Sequence, residues 1–261
     1  MDDSYTSKYD LVLASPLLNA AGSLGFAPDV RAPVDLARLG AFITNPISLA
    51  PRSPAQGRRF QAFPGGFLLH TGYPNPGLRE VIRRYARRWA QGAVPVIVHL
   101  LAGGLEETRQ MVRMLEGLEG VIGIELGLPE SMDADALQAQ VQSAIGELPL
   151  IARLPFEQAY TLSHLVITAG AAAVSLAPPR GVLLGTGGHL LHGRLYGPAL
   201  FPQALQVVRR LAQEQLPVIG SGGVSDQQQV EAMLSVGALA VQVDTALWRG
   251  SWWQKTDGSD A

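Results

Sequence analysis

The stretch Pro217–Leu247, "PVIGSGGVSDQQQVEAMLSVGALAVQVDTAL", decides the fold. A short apolar run, 217–222, stops at glycines. Ser225 and Asp226 then supply a helix N-cap ahead of "QQQVEAML", in which Val230, Met233 and Leu234 recur at helical spacing. A second apolar run, 239–245, follows. The unit is strand, glycine turn, helix, strand. Such a glycine turn ahead of a helix is a ready anion site, because the free N–H groups and the positive end of the helix dipole point outward there. Asp244 stands in the next such turn, where a phosphate would meet a like charge. Tight turns at the top of a sheet also account for glycines 220–223 without any ligand.

The same unit recurs outward along the chain. Strands are expected at 16–20, 41–45, 95–100, 121–127, 149–154, 172–177, 217–222 and 239–245. Helices are expected near 31–39, 78–91, 105–119, 133–145, 158–169, 200–215 and 226–236, with Asp133 capping the fourth. Eight strand–helix units predict an α/β fold, a (β/α)8 TIM barrel, forming one domain over 1–261. A doubly wound sheet is the alternative; its opening glycine motif is matched only by the spacing of "AAGSLGFA". Two long connections, 46–77 and 178–199, leave the C-terminal ends of strands and read as lids over the barrel mouth. After the eighth strand, "ALWRGSWWQKTDGSDA" reads as a truncated last helix. Either Trp248, Trp252 and Trp253 plug the uncovered wall or a second subunit does, which implies a homodimer.

Composition narrows the function. The 261 residues are 47% hydrophobic and 16% charged, with a net charge of −2 and no cysteine. No basic surface argues for nucleic acid, no thiol is present for catalysis or metal binding, and no apolar run is long enough to span a membrane. The N-terminal "MDDSYTSKYD" has no signal-peptide core, so a cytoplasmic protein is expected. The five histidines show no metal spacing, and His189 and His192 fall in a glycine-rich loop. Strand alternation turns His99, Glu125, Arg153, Ser175, Gln242 and Asp244 into the barrel. Glu125 and Arg153, on neighbouring strands, are placed to pair, either as a structural ion pair or as part of a site.

The motifs "PLLNAAGSLGF", "LGAFITNPISLAPR", "GYPNPGL", "VPVIVHLLAGG", "IELG", "GRLYGPAL", "PVIGSGGVSD" and "AVQVDTALW" occur in one order across residues 16–248. In that order they resemble the dihydroorotate dehydrogenase family of FMN-binding barrels, which serves pyrimidine biosynthesis. The resemblance implies a flavin across the barrel top. Its phosphate would lie at Gly222, Gly223, Asp244 and Thr245, and its ring near Ala21, Gly22, Thr44 and Asn45. It implies further cofactor contacts from Arg153, Gly193 and Arg194. Glu130 falls at the family's catalytic base position, and Arg153 where a lysine serves the flavin.

Several family residues are replaced. Asn45 stands for a lysine, and Leu69, Gly127, Met132 and Ala177 for asparagines. Arg194 replaces one of two paired glycines, and Asp244 the glycine before the phosphate-binding threonine. Each lost hydrogen bond to a charged group is worth roughly 1.5–3 kcal/mol, so dihydroorotate is expected to have little left to bind. Three readings follow. One is an FMN-linked oxidoreductase of altered substrate range, with Glu130 and Arg153 catalytic. Another is a non-catalytic relative, a pseudoenzyme binding some other ligand or a partner without flavin. The third is a flavin-free enzyme using Glu125 or Glu130 with Arg153 on a carboxylated or phosphorylated metabolite.

Overall fold

The computed structural model describes residues 11–249 apart from 30, 33, 58, 131, 186 and 187. Its elements in chain order begin with β1 (Leu17–Asn19), β2 (Phe42–Ile43), β3 (Phe60–Phe63), β4 (Gly66–Leu69), α1 (Leu78–Ala90) and β5 (Val96–Leu101). Then come α2 (Leu105–Leu115), β6 (Val121–Gly127), α3 (Ala134–Ser143), β7 (Leu150–Pro155), α4 (Ala159–Thr168) and β8 (Ala173–Ala177). The last are β9 (Arg180–Leu184), β10 (Leu190–Tyr196), α5 (Phe201–Gln213), β11 (Val218–Ser221), α6 (Gln227–Ser235), β12 (Ala240–Val243) and α7 (Ala246–Arg249).

Eight strands run parallel in the order β1-β12-β11-β8-β7-β6-β5-β2. A parallel bridge between Leu18 and Ala41 joins the two ends, so the sheet closes into a (β/α)8 TIM barrel. Asp133 and Asp226 cap α3 and α6 as expected, accepting from the N–H groups of Ala136 at 2.8 Å and Gln229 at 2.9 Å. The helix expected over 31–39 is instead one 3-10 turn, Leu36–Arg38, held by the Asp35 side chain. Asp35 and Leu39 both have extended backbone, so the helical stretch is confined to the three residues between them. Among the described residues no helix is long and apolar enough to cross a membrane. The eighth strand leads into α7; Trp252 and Trp253 lie outside the described residues.

The barrel interior has two levels. At the lower level Leu18, Ile43, Ile97, Ile151, Ala173, Ile219 and Ala240 form a separate apolar cluster. Two residues further along, on the same face by strand alternation, come His99, Arg153, Ser175, Ser221 and Gln242. The fold is therefore sealed below and polar at its mouth.

The two long connections contain regular structure. Each folds into a hairpin, and the hairpins pair through β4 and β10 into a four-stranded antiparallel sheet of order β3-β4-β10-β9. Neither hairpin alone would be stable in water; sharing β4–β10 hydrogen bonds and the stacked rings of Phe67 and Tyr196, 5.5 Å apart, lets them persist.

Candidate functional site

Glu125 is the hub of the mouth. It has no solvent exposure, and it accepts four hydrogen bonds from four other strands. His99 Nδ1 lies 2.6 Å and Arg153 Nη1 3.2 Å from its Oε2; Ser175 Oγ and Gln242 Nε2 each lie 2.6 Å from its Oε1. Burial by itself would raise the Glu125 pKa, but Arg153, His99 and Ser175 together hold it well below the usual carboxylate range. Burial is also the main influence on His99, and it outweighs the attraction of Glu125 to keep the imidazole pKa below its ordinary value. The imidazole is thus neutral at pH 7, with its proton on Nδ1 towards the carboxylate. Five of the six residues that alternation turned inward meet in this one network. The sixth, Asp244, lies just past β12.

Above the hub is a cavity of about 180 Å³. His99, Gly127 and Arg153 line it from the barrel, Arg180, Arg194 and Tyr196 from the antiparallel sheet, and Arg52 from the loop ahead of β3. Gly127 is required there by contact: a Cβ on it would sit 2.8 Å from His99 Nε2. A neighbouring cavity of about 150 Å³ is lined by Gly22, Asn45, Asp244 and Trp248. Ala21, Pro46, Tyr73 and Tyr196 border both.

The other expected site residues are placed as follows. Glu130 is half-buried and ion-paired: Arg180 Nε contacts its Oε2, and Arg194 Nη2 lies 3.4 Å from its Oε1. Arg194 also donates to Tyr73 Oη at 2.6 Å and to the Pro178 carbonyl at 2.7 Å, so it does not neutralise Asp244. The Asp244 carboxyl accepts the Thr245 N–H, and its burial raises its pKa despite that bond and the nearby Arg153 charge. Thr44 is fully buried, and its Oγ1 accepts the His99 N–H at 3.0 Å. Asn45 Oδ1 accepts the Gly25 N–H at 3.1 Å, beside Ala21 and Gly22.

The glycines are packed against protein. A Cβ on Gly223 would lie 2.6 Å from the Phe201 nitrogen, and one on Gly222 would lie 3.1 Å from Ala204 Cβ. One on Gly193 would strike Leu68 Cδ2 at 2.6 Å, inside the antiparallel sheet. Among the described residues no group of three or more His, Asp and Glu side chains is placed to hold a metal ion.

The expectations from sequence did not include Arg52, Tyr73, Arg180 or Tyr196. The signal for one of them was present in "LLHGRLY", where Tyr196 stands two residues from the expected Arg194 on one strand face. Reading that segment as a loop hid the alternation.

A family model described as dihydroorotate dehydrogenase matches residues 6–146 and 182–256. The catalytic subunit of dihydroorotate dehydrogenase B (NAD(+)) from Desulforudis audaxviator is 31% identical over 261 aligned residues, covering 90% of this chain and 84% of the relative. The corresponding subunit from Citrifermentans bemidjiense is 30% identical over the same shares of each chain. In fold, the chain is similar to the crystal structure of an Eimeria tenella dihydroorotate dehydrogenase in complex with ferulenol. The TM-score is 0.69 at 15% identity, covering 90% of this chain and 77% of that one.

Proposed function

The chain belongs to the dihydroorotate dehydrogenase family, and from that premise we propose a member that has kept the barrel, gives up FMN and dihydroorotate, and binds a small carboxylate or phosphate anion in the arginine-lined cavity. One observation carries the reading. The Thr245 N–H, where the family resemblance puts the flavin phosphate, is already bonded to the Asp244 carboxyl. A phosphate about 4 Å from that carboxylate would be repelled by ~4 kcal/mol per pair of unit charges at an effective dielectric near 20. Such a penalty weakens binding roughly a thousandfold. Protonating Asp244 would lift the repulsion but leave the N–H donor occupied. The residues present do not fit FMN there. A Cβ on Gly222, Gly223 or Gly193 would meet Ala204, Phe201 or Leu68 and Leu69, so packing within the chain accounts for these glycines without a flavin.

The arginines support the second half of the reading. Arg52, Arg153, Arg180 and Arg194 line one cavity; Arg153 pairs with Glu125 and Arg180 and Arg194 with Glu130, so four guanidinium groups stand against two carboxylates, an excess of two positive charges. Planar guanidinium groups match carboxylate and phosphate oxygens in pairs. The competing reading, an FMN oxidoreductase with altered substrate range, is favoured by Arg153, a cation where the resemblance gives the flavin a lysine. Arg153 is, however, already bonded to Glu125.

Purification decides between them. The protein is expected to be colourless, to show no saturable uptake of added FMN, and to form no orotate from dihydroorotate with NAD, quinone or fumarate as acceptor. Citrate or phosphate is expected to raise its melting temperature in proportion to the logarithm of anion concentration. A yellow preparation with stoichiometric flavin would overturn the reading.

A further inference from the structure

We propose that His99 and Glu125 form a proton-transfer pair at the floor of the arginine-lined cavity, placed to enolise a small 2-oxo carboxylate. The proposal rests on the anion-binding reading above. Its geometry is independent of that reading. Glu125, fully buried, holds His99 Nδ1 at 2.6 Å and so fixes which ring nitrogen carries the proton. Nε2 is then the nitrogen with the free lone pair. It sits on the side of Gly127, and both residues line the cavity. Any side chain at 127 would cover it.

The ligand class follows from chemistry. The excess positive charge selects an anion. The cavity volume of about 180 Å³ corresponds to roughly six waters, the size of a short organic acid. A neutral imidazole is a base of modest strength, and burial weakens it further. It can remove a proton only from an acidic C–H, such as the one next to the carbonyl of a 2-oxo acid. In the step, Nε2 takes a proton from C3. The C–H electron pair becomes the C2–C3 double bond, and the carbonyl π pair moves onto oxygen as an enolate. Arg153 and Arg194, lining the same cavity, supply positive charge for that oxygen. The imidazolium is stabilised by Glu125, and return of a proton regenerates the acid. No oxidant or second substrate is consumed.

The test is hydrogen exchange on the full chain. Pyruvate and 2-oxobutyrate are incubated with the protein in D2O, and loss of their C3 proton signals is followed by NMR. Exchange is expected well above that in protein-free buffer. His99→Asn is expected to slow it by about 100-fold or more, the range of a general base. Gly127→Ala, whose Cβ would lie 2.8 Å from Nε2 and so both cover it and press on the ring, is expected to slow it likewise. Thermal melts report whether each variant is folded, and calorimetry whether the oxo acid still binds. Binding to the wild-type protein without exchange overturns the proton-transfer pair and leaves the anion site standing. Exchange that persists in both folded variants also overturns the pair. Failure of citrate, phosphate and both oxo acids to bind removes the anion reading itself.

Discussion

Replacing Glu125 by glutamine tests whether the barrel mouth depends on one buried charge. Four donors converge on that carboxylate, two at each oxygen. Glutamine keeps the shape and brings one carbonyl and one NH2. The carbonyl can serve His99 and Arg153. The NH2 must then face Ser175 and Gln242, which is tolerable: the Ser175 hydroxyl can turn to accept, and Gln242 can rotate its amide. Its Oε1 has no partner in the wild-type network and is available. Hydrogen bonding is therefore recoverable, and the loss is almost purely the charge that balances Arg153, itself only 6% exposed. Removing one member of a buried ion pair costs roughly 3–5 kcal/mol. With a urea slope of about 3 kcal/mol/M for a chain of this size, the unfolding midpoint should fall by about 1–2 M at constant slope. Replacing Arg153 by methionine in the same chain should restore part of the loss, because no uncompensated charge remains. A Glu125→Gln midpoint within about 0.3 M of wild type would refute the argument, and so would a double variant less stable than the single one.

Two further predictions concern pH and the Asp244 carboxyl. His99 has a folded pKa below its ordinary 6.5, so below that pH the unfolded chain takes up a proton that the folded chain resists. Stability should therefore fall as pH drops from about 6.5, before the carboxylates titrate. Urea midpoints at steps from pH 7.5 to 5 should show this slope in wild type and not in His99→Asn; equal slopes would count against it. Asp244 shows the opposite sign. Its folded pKa is raised by burial above 3.8, so its ionisation costs stability as pH rises through the folded value. Asp244→Asn keeps the acceptor for the Thr245 N–H, and its melting temperature at pH 7.5 should exceed that of wild type, with the gain vanishing near pH 3.5.

The sequence disclosed the barrel because its strands and helices carry local signals. Apolar runs bounded by glycine and proline mark the strands, and Asp133 and Asp226 mark helix starts that the structure keeps. It disclosed the polar network because alternation is a strict two-residue rule: once Val241 and Val243 face the helices, Gln242 must face the barrel. The antiparallel sheet was not legible. Its two hairpins come from connections more than a hundred residues apart, and each is stable only against the other. Arg180 and Tyr196 reach the mouth through that long-range pairing, and the alternation of Tyr196 with Arg194 gains meaning only once 190–196 is a paired strand. Nor could a residue-by-residue resemblance show that Arg194 turns to Glu130, Tyr73 and Pro178, because that choice depends on where the second hairpin docks.

The replacements at the mouth make physical sense in pairs. At 127 a glycine stands where the resemblance has an asparagine, and the His99 ring comes so near that a Cβ would lie 2.8 Å from Nε2. At 244 an aspartate stands for a glycine, and its carboxyl takes the N–H that a phosphate would need. At 194 an arginine stands for a glycine, and Glu130, at the old base position, takes its charge at 3.4 Å. In each case a side chain of this chain occupies the space or the donor left by another. Random decay of an unused site would leave holes and unpaired buried groups, which cost about 1–3 kcal/mol apiece. Here the side-chain atoms buried without a hydrogen bond are, among the described residues, one oxygen each on Gln61, Glu130 and Gln242, and the Glu130 oxygen still lies within ion-pair range of Arg194. A mouth so nearly satisfied by its own residues, with positive charge left over, is what the proposed binding of a different and smaller anion requires.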